Sequence, residues 1–243
     1  MTTSAGAAIN TSRGWQIAAL VFAMVFPSIG AWLYFVMYAG HESVRLAYGV
    51  TKVIQFAFPV VWVLLIERTA IRLRWPDGVS VRLGLAFGAV VLGAMLALYF
   101  GGLSQTGYAA EAREAVVGKL TDFGITTPLA FLGLAAFYCL LHSLLEEYYW
   151  RWFVFGRLAE VTPRWPAILL SSLAFAAHHV IVLANFFDEL LPVVLLSLAV
   201  AVGGAVWAWL YARCNSLWGP WLSHLLVDAG IMAVGYHLVF VAS

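Results

Sequence analysis

The chain has 243 residues, of which 63% are hydrophobic and only 10% are charged. This composition excludes a soluble globular domain and is typical of a protein that crosses a membrane several times. The formal net charge of +1 provides no strongly basic surface, so we expect the lipid bilayer as a partner and no nucleic acid.

Seven hydrophobic runs are long enough to cross a bilayer, which takes about 20 helical residues each. We therefore predict an all-α, polytopic integral membrane helix bundle with about seven transmembrane helices. The first run is too long for a signal peptide, so it is predicted to be retained after the short polar segment 1–13. The predicted spans are 14–39, 47–66, 83–103, 128–157, 166–184, 190–212 and 218–241.

Small residues recur four positions apart in two of these spans, Gly84 and Gly88 in the third, and Ala199 and Gly203 in the sixth. Because small side chains let helices approach closely, we predict helix contacts at both faces. The longest loop, 104–127, repeats apolar residues at helical spacing. It is interpreted either as an amphipathic helix on the membrane surface or as a solvated connector.

The distribution of arginine and lysine predicts the orientation of the chain in the membrane. With a cytoplasmic N-terminus, nine of these residues fall on the inner side, and four fall in outer segments or their flanks. We therefore predict a multi-pass protein of the cell membrane whose N-terminus is cytoplasmic. The four outer residues are Arg45, Lys52, Arg113 and Lys119.

Three later spans carry ionisable residues at helical spacing. Glu147 and Arg151 are four residues apart in the fourth span and can form an ion pair along one helix face. Glu146 is rotated by about 100° from Glu147, so the two carboxylates cannot share one role. The other pairs four residues apart are Phe175 and His179 in the fifth span, and His224 and Asp228 in the seventh.

These ionisable residues are predicted to lie at similar depths in the membrane. At a rise of 1.5 Å per residue, Glu146 lies roughly 16 Å and His179 roughly 20 Å from the cytoplasmic helix ends. By the same count His224 and Asp228 lie roughly 9 and 15 Å deep. Because ionisable side chains are costly inside a bilayer, their convergence there indicates a functional site.

Three chemistries fit a glutamate, two histidines and an aspartate in a membrane cavity. A glutamate base assisted by histidine can activate water. Histidine and carboxylate side chains can bind zinc, although the sequence has no H-E-x-x-H pair. Such residues also form proton relays in transporters. The spacing alone does not choose among these three.

The motifs Glu146-Glu147-x-x-x-Arg151, Phe175-x-x-x-His179 and His224-x-x-x-Asp228 together resemble, in this order, the signature of the CPBP family. This family of intramembrane glutamic endopeptidases includes the Rce1-like CAAX proteases and the Abi group. The resemblance covers about 128–241. It implies N-terminal transmembrane helices and an outer loop over 1–127, followed by a catalytic helical core over 128–243. Family members often have eight spans, so an eighth helix is an alternative.

The resemblance implies a role for each motif residue. Glu146 would be the general base that activates the attacking water, and His179 would bind and orient that water. His224 and Asp228 would form the oxyanion side. The residues implied to support the site structurally are Glu147, Arg151 and Phe175. His178 is predicted to be a bystander on another helix face, and His142 to be a packed polar residue.

By this resemblance we expect an endopeptidase that hydrolyses a peptide bond of a membrane-associated protein or peptide without an obligatory cofactor. Two alternatives stay within the family, namely a catalytically silent membrane scaffold or regulator and a zinc-dependent membrane protease. A proton-coupled transporter is the alternative outside it. Internal repeats and matching broken helices would favour a transporter, and the sequence shows neither.

Overall fold

The computed structural model describes residues 13–71 and 74–242. The described residues are almost entirely helical and contain no β-strand, which confirms the predicted all-α class. The polar segment predicted to precede the first span lies outside the described residues except for Arg13, where the first helix begins.

Seven helices in the described part of the chain are long and apolar enough to cross a membrane, which confirms the predicted number. An eighth helix, α4, lies between the third and fourth of them and is too polar to be a span. The helices are α1 Arg13–Met37, α2 Val44–Glu67, α3 Gly78–Phe100, α4 Gly107–Asp122, α5 Pro128–Val161, α6 Arg164–Leu183, α7 Leu190–Cys214 and α8 Trp218–Phe240.

Helix starts follow from capping residues that hydropathy does not detect. Helix α3 begins at Gly78 rather than at 83 because the Asp77 side chain accepts a hydrogen bond from the Ser80 amide at 3.1 Å. At the start of α5, Thr127 accepts from the Ala130 amide, and Pro128 occupies the first turn. Proline is favoured there because no intrahelical partner exists for an N–H.

The loop predicted to form either an amphipathic helix or a connector contains helix α4. Its Leu120 is buried, and Arg113 donates from Nε to the carbonyl of Leu238 at 2.9 Å. Helix α4 therefore packs on the end of α8. Its position on a membrane surface stays a prediction.

Helix α5 supplies the centre of the bundle. Its residues Tyr149, Trp150, Phe153 and Val154 have almost no exposed surface and pack against α1, α2, α6 and α7. Two stretches of α5, Phe137–His142 and Tyr148–Phe155, are π-helical. Because π turns are wider than α turns and are frequent at functional sites, they mark the segment between them, Ser143–Glu147.

The predicted small-residue face of α3 makes a close helix contact with α8. A Cβ atom on Gly84 would overlap the carbonyl of Gly219, and one on Gly88 would lie 2.9 Å from Cα of Ser223. The corresponding prediction for Ala199 and Gly203 in α7 is wrong. The neighbour of Gly203 is Trp207 of its own helix, and Gly204 instead contacts Ser172 and Phe175 of α6.

Replacing Gly84 with Ala should destabilise the protein by about 1–3 kcal/mol, because the added methyl forces α3 away from α8. Gly93→Ala in the same helix is the matched control, since no atom lies within 4 Å of its added Cβ. That change should be neutral or stabilise by up to about 1 kcal/mol. Thermal unfolding in detergent micelles measures both, and equal stabilities would contradict the close contact.

Candidate active site

The carboxylate of Glu146 is buried at the middle of the bundle and is surrounded by imidazole rings. Glu146 is only 3% exposed. Nε2 of His142 and Nε2 of His178 each lie 3.8 Å from its Oε1, and Nε2 of His224 lies 3.8 Å from its Oε2. The structure therefore brings side chains from α5, α6 and α8 around one carboxylate.

The two adjacent histidines of α6 take different positions. Nδ1 of His179 lies 2.9 Å from the carbonyl of Phe175. Because a carbonyl only accepts, Nδ1 carries the proton, and Nε2 of the neutral ring presents its lone pair. His178 stacks on the indole of Trp150, with ring centroids 5.7 Å apart. His178 was predicted to be a bystander on another helix face. That position is wrong, because Nε2 of His178 lies 3.8 Å from Oε1 of Glu146.

Glu147 points away from Glu146 and joins α5 to α8. Nε of Arg151 lies 3.1 Å from its Oε2, which confirms the predicted ion pair. Its other oxygen, Oε1, lies 2.8 Å from Nδ1 of His224. The sequence did not predict this second contact. Glu147 therefore fixes the ring orientation of a histidine that belongs to the predicted site.

The hydrogen bond to Glu147 determines what the other nitrogen of His224 can do. An ionised carboxylate accepts only, so Nδ1 of His224 is the donor, and a neutral ring then has no proton on Nε2. That nitrogen lies 3.6 Å from Oδ1 of Asp228. Nε2 can therefore donate only when His224 is an imidazolium.

Aromatic rings of two further helices enclose these charges. The Arg151 guanidinium lies 4.6 Å from the ring centre of Phe175 and 5.1 Å from that of Trp207. The Trp207 indole also stacks on His224 at 4.2 Å and donates to the Ser223 hydroxyl at 2.9 Å. Arg151 thus replaces its lost hydration partly with aromatic faces. Phe175 contacts Arg151 here, and its supporting role stays a prediction.

One cation that the sequence analysis counted with the outer flanks lies beside this region. Lys52 was counted with the outer flanks, but it lies within α2, on the side of the Phe56 ring. That ring contacts His142, with centroids 6.1 Å apart. Lys52 is the sixth residue of the predicted span 47–66, so the sequence already placed it inside that span.

Two comparisons find known proteins that are similar to this chain. The family model of Rce1-like type II CAAX prenyl endopeptidases matches residues 128–230. The CPBP resemblance is confirmed. The chain is also 27% identical over 199 residues to "Putative membrane peptidase YdiL" of Bacillus subtilis strain 168. The aligned region covers 79% of this chain and 73% of that protein. No solved structure matches the chain.

The Rce1-like match begins at the first residue of α5 and ends within α8, so it includes every motif residue. Together with the seven apolar helices, the similarities support a multi-pass membrane protein of the CAAX protease type. They also support a membrane protease that acts on peptide or protein substrates.

Replacing Glu147 with Gln should lower the free energy of unfolding by about 3–5 kcal/mol, because Arg151 is then left buried without a counter-charge. Glu160→Gln is the matched control on the same helix. Glu160 is exposed and pairs with Arg157 at the surface, so its loss should cost at most about 1 kcal/mol. Denaturation in micelles measures both variants. Equal stabilities would show that the buried pair does not support the fold.

Proposed function

We propose that the protein is a glutamic-type intramembrane endopeptidase in which Glu146 activates the water that attacks a peptide bond. The observation that carries the proposal is the separation of the two adjacent carboxylates. Among the described residues, the carboxylate of Glu147 forms an ion pair with Arg151. No arginine or lysine of these residues lies within 4 Å of the carboxylate of Glu146. A carboxylate that is not held in a structural ion pair is available to accept a proton.

The attacking water binds between the Glu146 carboxylate and the Nε2 lone pair of His179. Glu146 takes one proton from the water, and the remaining hydroxide oxygen forms a bond to the carbonyl carbon of the substrate. The amide C–N bond then breaks, and the proton passes from Glu146 to the leaving amine. Nε2 of His142 and Nε2 of His178 each lie 3.8 Å from Oε1 of this carboxylate.

His224 and Asp228 stabilise the negative charge that develops on the carbonyl oxygen. This role needs donors about 2.7–3.1 Å from that oxygen. His224 donates from Nε2 as an imidazolium, since Glu147 already accepts from its Nδ1. Asp228 either donates as a protonated acid or stays ionised and holds the His224 ring, because an ionised carboxylate only accepts. We favour the donor role.

The core of the enzyme is the segment 128–243, since α5, α6 and α8 carry Glu146, His179, His224 and Asp228. We also propose that the protein lies in the cell membrane with a cytoplasmic N-terminus. With Lys52 and the buried Arg151 both left out, eight basic residues on the inner side face three on the outer side, which supports the predicted orientation.

The first prediction concerns the base. Glu146→Gln should abolish cleavage while folding stays intact, because the amide keeps the shape of the side chain but cannot take a proton. Membrane proteomes of cells with wild-type or Glu146→Gln protein are compared for an unprocessed precursor. Glu160→Gln serves as the control with unchanged processing. A folded Glu146→Gln protein with full activity would contradict the assignment of Glu146 as the general base.

The second prediction concerns metal. We propose that no metal is required, because Arg151 engages Glu147 and adds a positive charge that disfavours a cation at the site. Purified protein should contain no stoichiometric zinc and should keep its activity in chelator. One zinc per chain, with activity lost on its removal and regained on its return, would support the zinc-dependent alternative.

The third prediction concerns Asp228. If Asp228 donates to the oxyanion, Asp228→Asn should keep most activity and extend it to higher pH, because an amide donates at every pH. If Asp228 acts as an ionised carboxylate that holds His224, the same change should lower activity at every pH. The pH–rate profile of the variant separates the two roles. A uniformly lowered profile would overturn the donor role.

A further inference from the structure

Helix α7 carries no residue of the three motifs, yet its Trp207 contacts two side chains of the candidate site. The Trp207 indole stacks on the imidazole of His224, with centroids 4.2 Å apart and planes inclined by 17°. The Arg151 guanidinium lies 5.1 Å from the centre of the same indole. Tryptophan in membrane proteins is enriched at the interfaces with water. Trp207 is instead buried in the core of the bundle, so interfacial anchoring does not explain its position.

The close approach of α7 to α6 at Gly204 brings the indole to this place. A Cβ atom on Gly204 would lie 3.2 Å from Cδ1 of Phe175. Trp207 follows three residues later, so it lies one turn further along the same helix face. Its ring reaches Phe175, with centroids 6.1 Å apart. A larger side chain at Gly204 would therefore move Trp207 away from the site.

A hydrogen bond to the neighbour of His224 fixes the indole itself. Nε1 of Trp207 donates to the hydroxyl of Ser223 at 2.9 Å, and Ser223 is fully buried. The indole N–H is the only hydrogen-bonding group of a tryptophan side chain, and it only donates. Trp207 therefore presents an aromatic face to His224 and does not compete with Glu147 for the proton on Nδ1.

The stack and the bond to Glu147 restrain different motions of the His224 ring. The hydrogen bond from Nδ1 to Glu147 holds one atom of the ring, and the plane of the ring can still tilt about that atom. A stacked face restrains the plane. The two contacts together fix the direction in which Nε2 points. A donor to the developing oxyanion needs such precision, because a displacement of about 1 Å can cost a factor of about 100 in rate.

We propose that Trp207 is a positioning residue, which holds the plane of the His224 imidazole so that Nε2 points to the carbonyl oxygen of the substrate during cleavage. The inference rests on the proposed protease function. Trp207 does not touch the reacting atoms and acts through His224. A tryptophan that only fills the core is replaceable by another apolar side chain, whereas positioning requires a flat ring at residue 207.

Kinetics of purified variants in micelles test the positioning role, with the precursor that accumulates in Glu146→Gln cells as the substrate. Trp207→Leu should lower kcat about 10- to 100-fold and leave KM nearly unchanged, because the contact matters in the transition state. Trp207→Phe keeps a flat ring and should retain most of the kcat. Trp209→Leu is the matched control, because Trp209 is a half-buried tryptophan of α7 that lies beside Arg213. Equal losses in Trp207→Leu and Trp207→Phe, or a change confined to KM, would overturn the proposal.

Ser223→Ala keeps the proposal testable even where Trp207→Leu fails to fold. It removes only the hydroxyl that holds the indole, and it should lower kcat about two- to tenfold, as expected for the loss of one hydrogen bond. In a Trp207→Phe background the same change should have no further effect on kcat, because phenylalanine has no N–H to hold. Equal effects of Ser223→Ala in both backgrounds would overturn the role of the indole.

Nitrogen-15 signals of the histidine rings test the geometry without any catalysis. The chain has six histidines, and the signals lost in His224→Asn assign His224. Its ring should give one sharp pair of signals in the wild type, Trp207→Phe and Trp209→Leu. In Trp207→Leu the pair should broaden and shift towards that of the exposed His41. An unchanged pair in Trp207→Leu would overturn the proposal. Normal processing by Glu146→Gln would instead overturn the proposed function, and the ring signals would still decide whether Trp207 holds His224.

Discussion

The buried ion pair of Glu147 and Arg151 is the interaction on which the rest of the site depends. Burying two charges costs several kcal/mol each unless neighbouring groups compensate. Here the compensation comes from three other helices, through His224 on α8, Phe175 on α6 and Trp207 on α7. The pair is therefore tolerable only when all four helices are in place. The burial of Glu147 and Arg151 thus depends on the packing of α5 against α6, α7 and α8.

The two adjacent glutamates, Glu146 and Glu147, differ in their surroundings. Successive helical residues point about 100° apart, so Glu146 and Glu147 face different neighbours. Glu147 engages the arginine and the Nδ1 proton of His224, and Glu146 faces three imidazole nitrogens instead. The supporting carboxylate also sets the protonation state in which His224 can act. The structural role of Glu147 and the proposed chemistry of His224 are thereby coupled through the imidazole ring of His224.

The sequence predicted those features that depend on local order along the chain. Long apolar runs give the spans, and spacing of four gives the Glu147–Arg151 pair and the close face at Gly84 and Gly88. Features that depend on how each helix is rotated against its neighbours were missed. Gly204 rather than Gly203 meets α6, and His178 reaches Glu146. Spacing along a single helix does not predict these rotations. The roles of the motif residues stay predictions.

Unpartnered polar atoms near Glu146 bear on how a peptide is accommodated. His178 Nδ1 and Asp228 Oδ2 are buried and have no hydrogen-bond partner among the described residues. An extended substrate loses its internal backbone hydrogen bonds, and a bilayer interior offers no replacements. Donors and acceptors held ready within the bundle can supply them. Orphaned atoms around one carboxylate would be a defect in a scaffold, whereas a protease that must hold an unfolded segment in the membrane has a use for each.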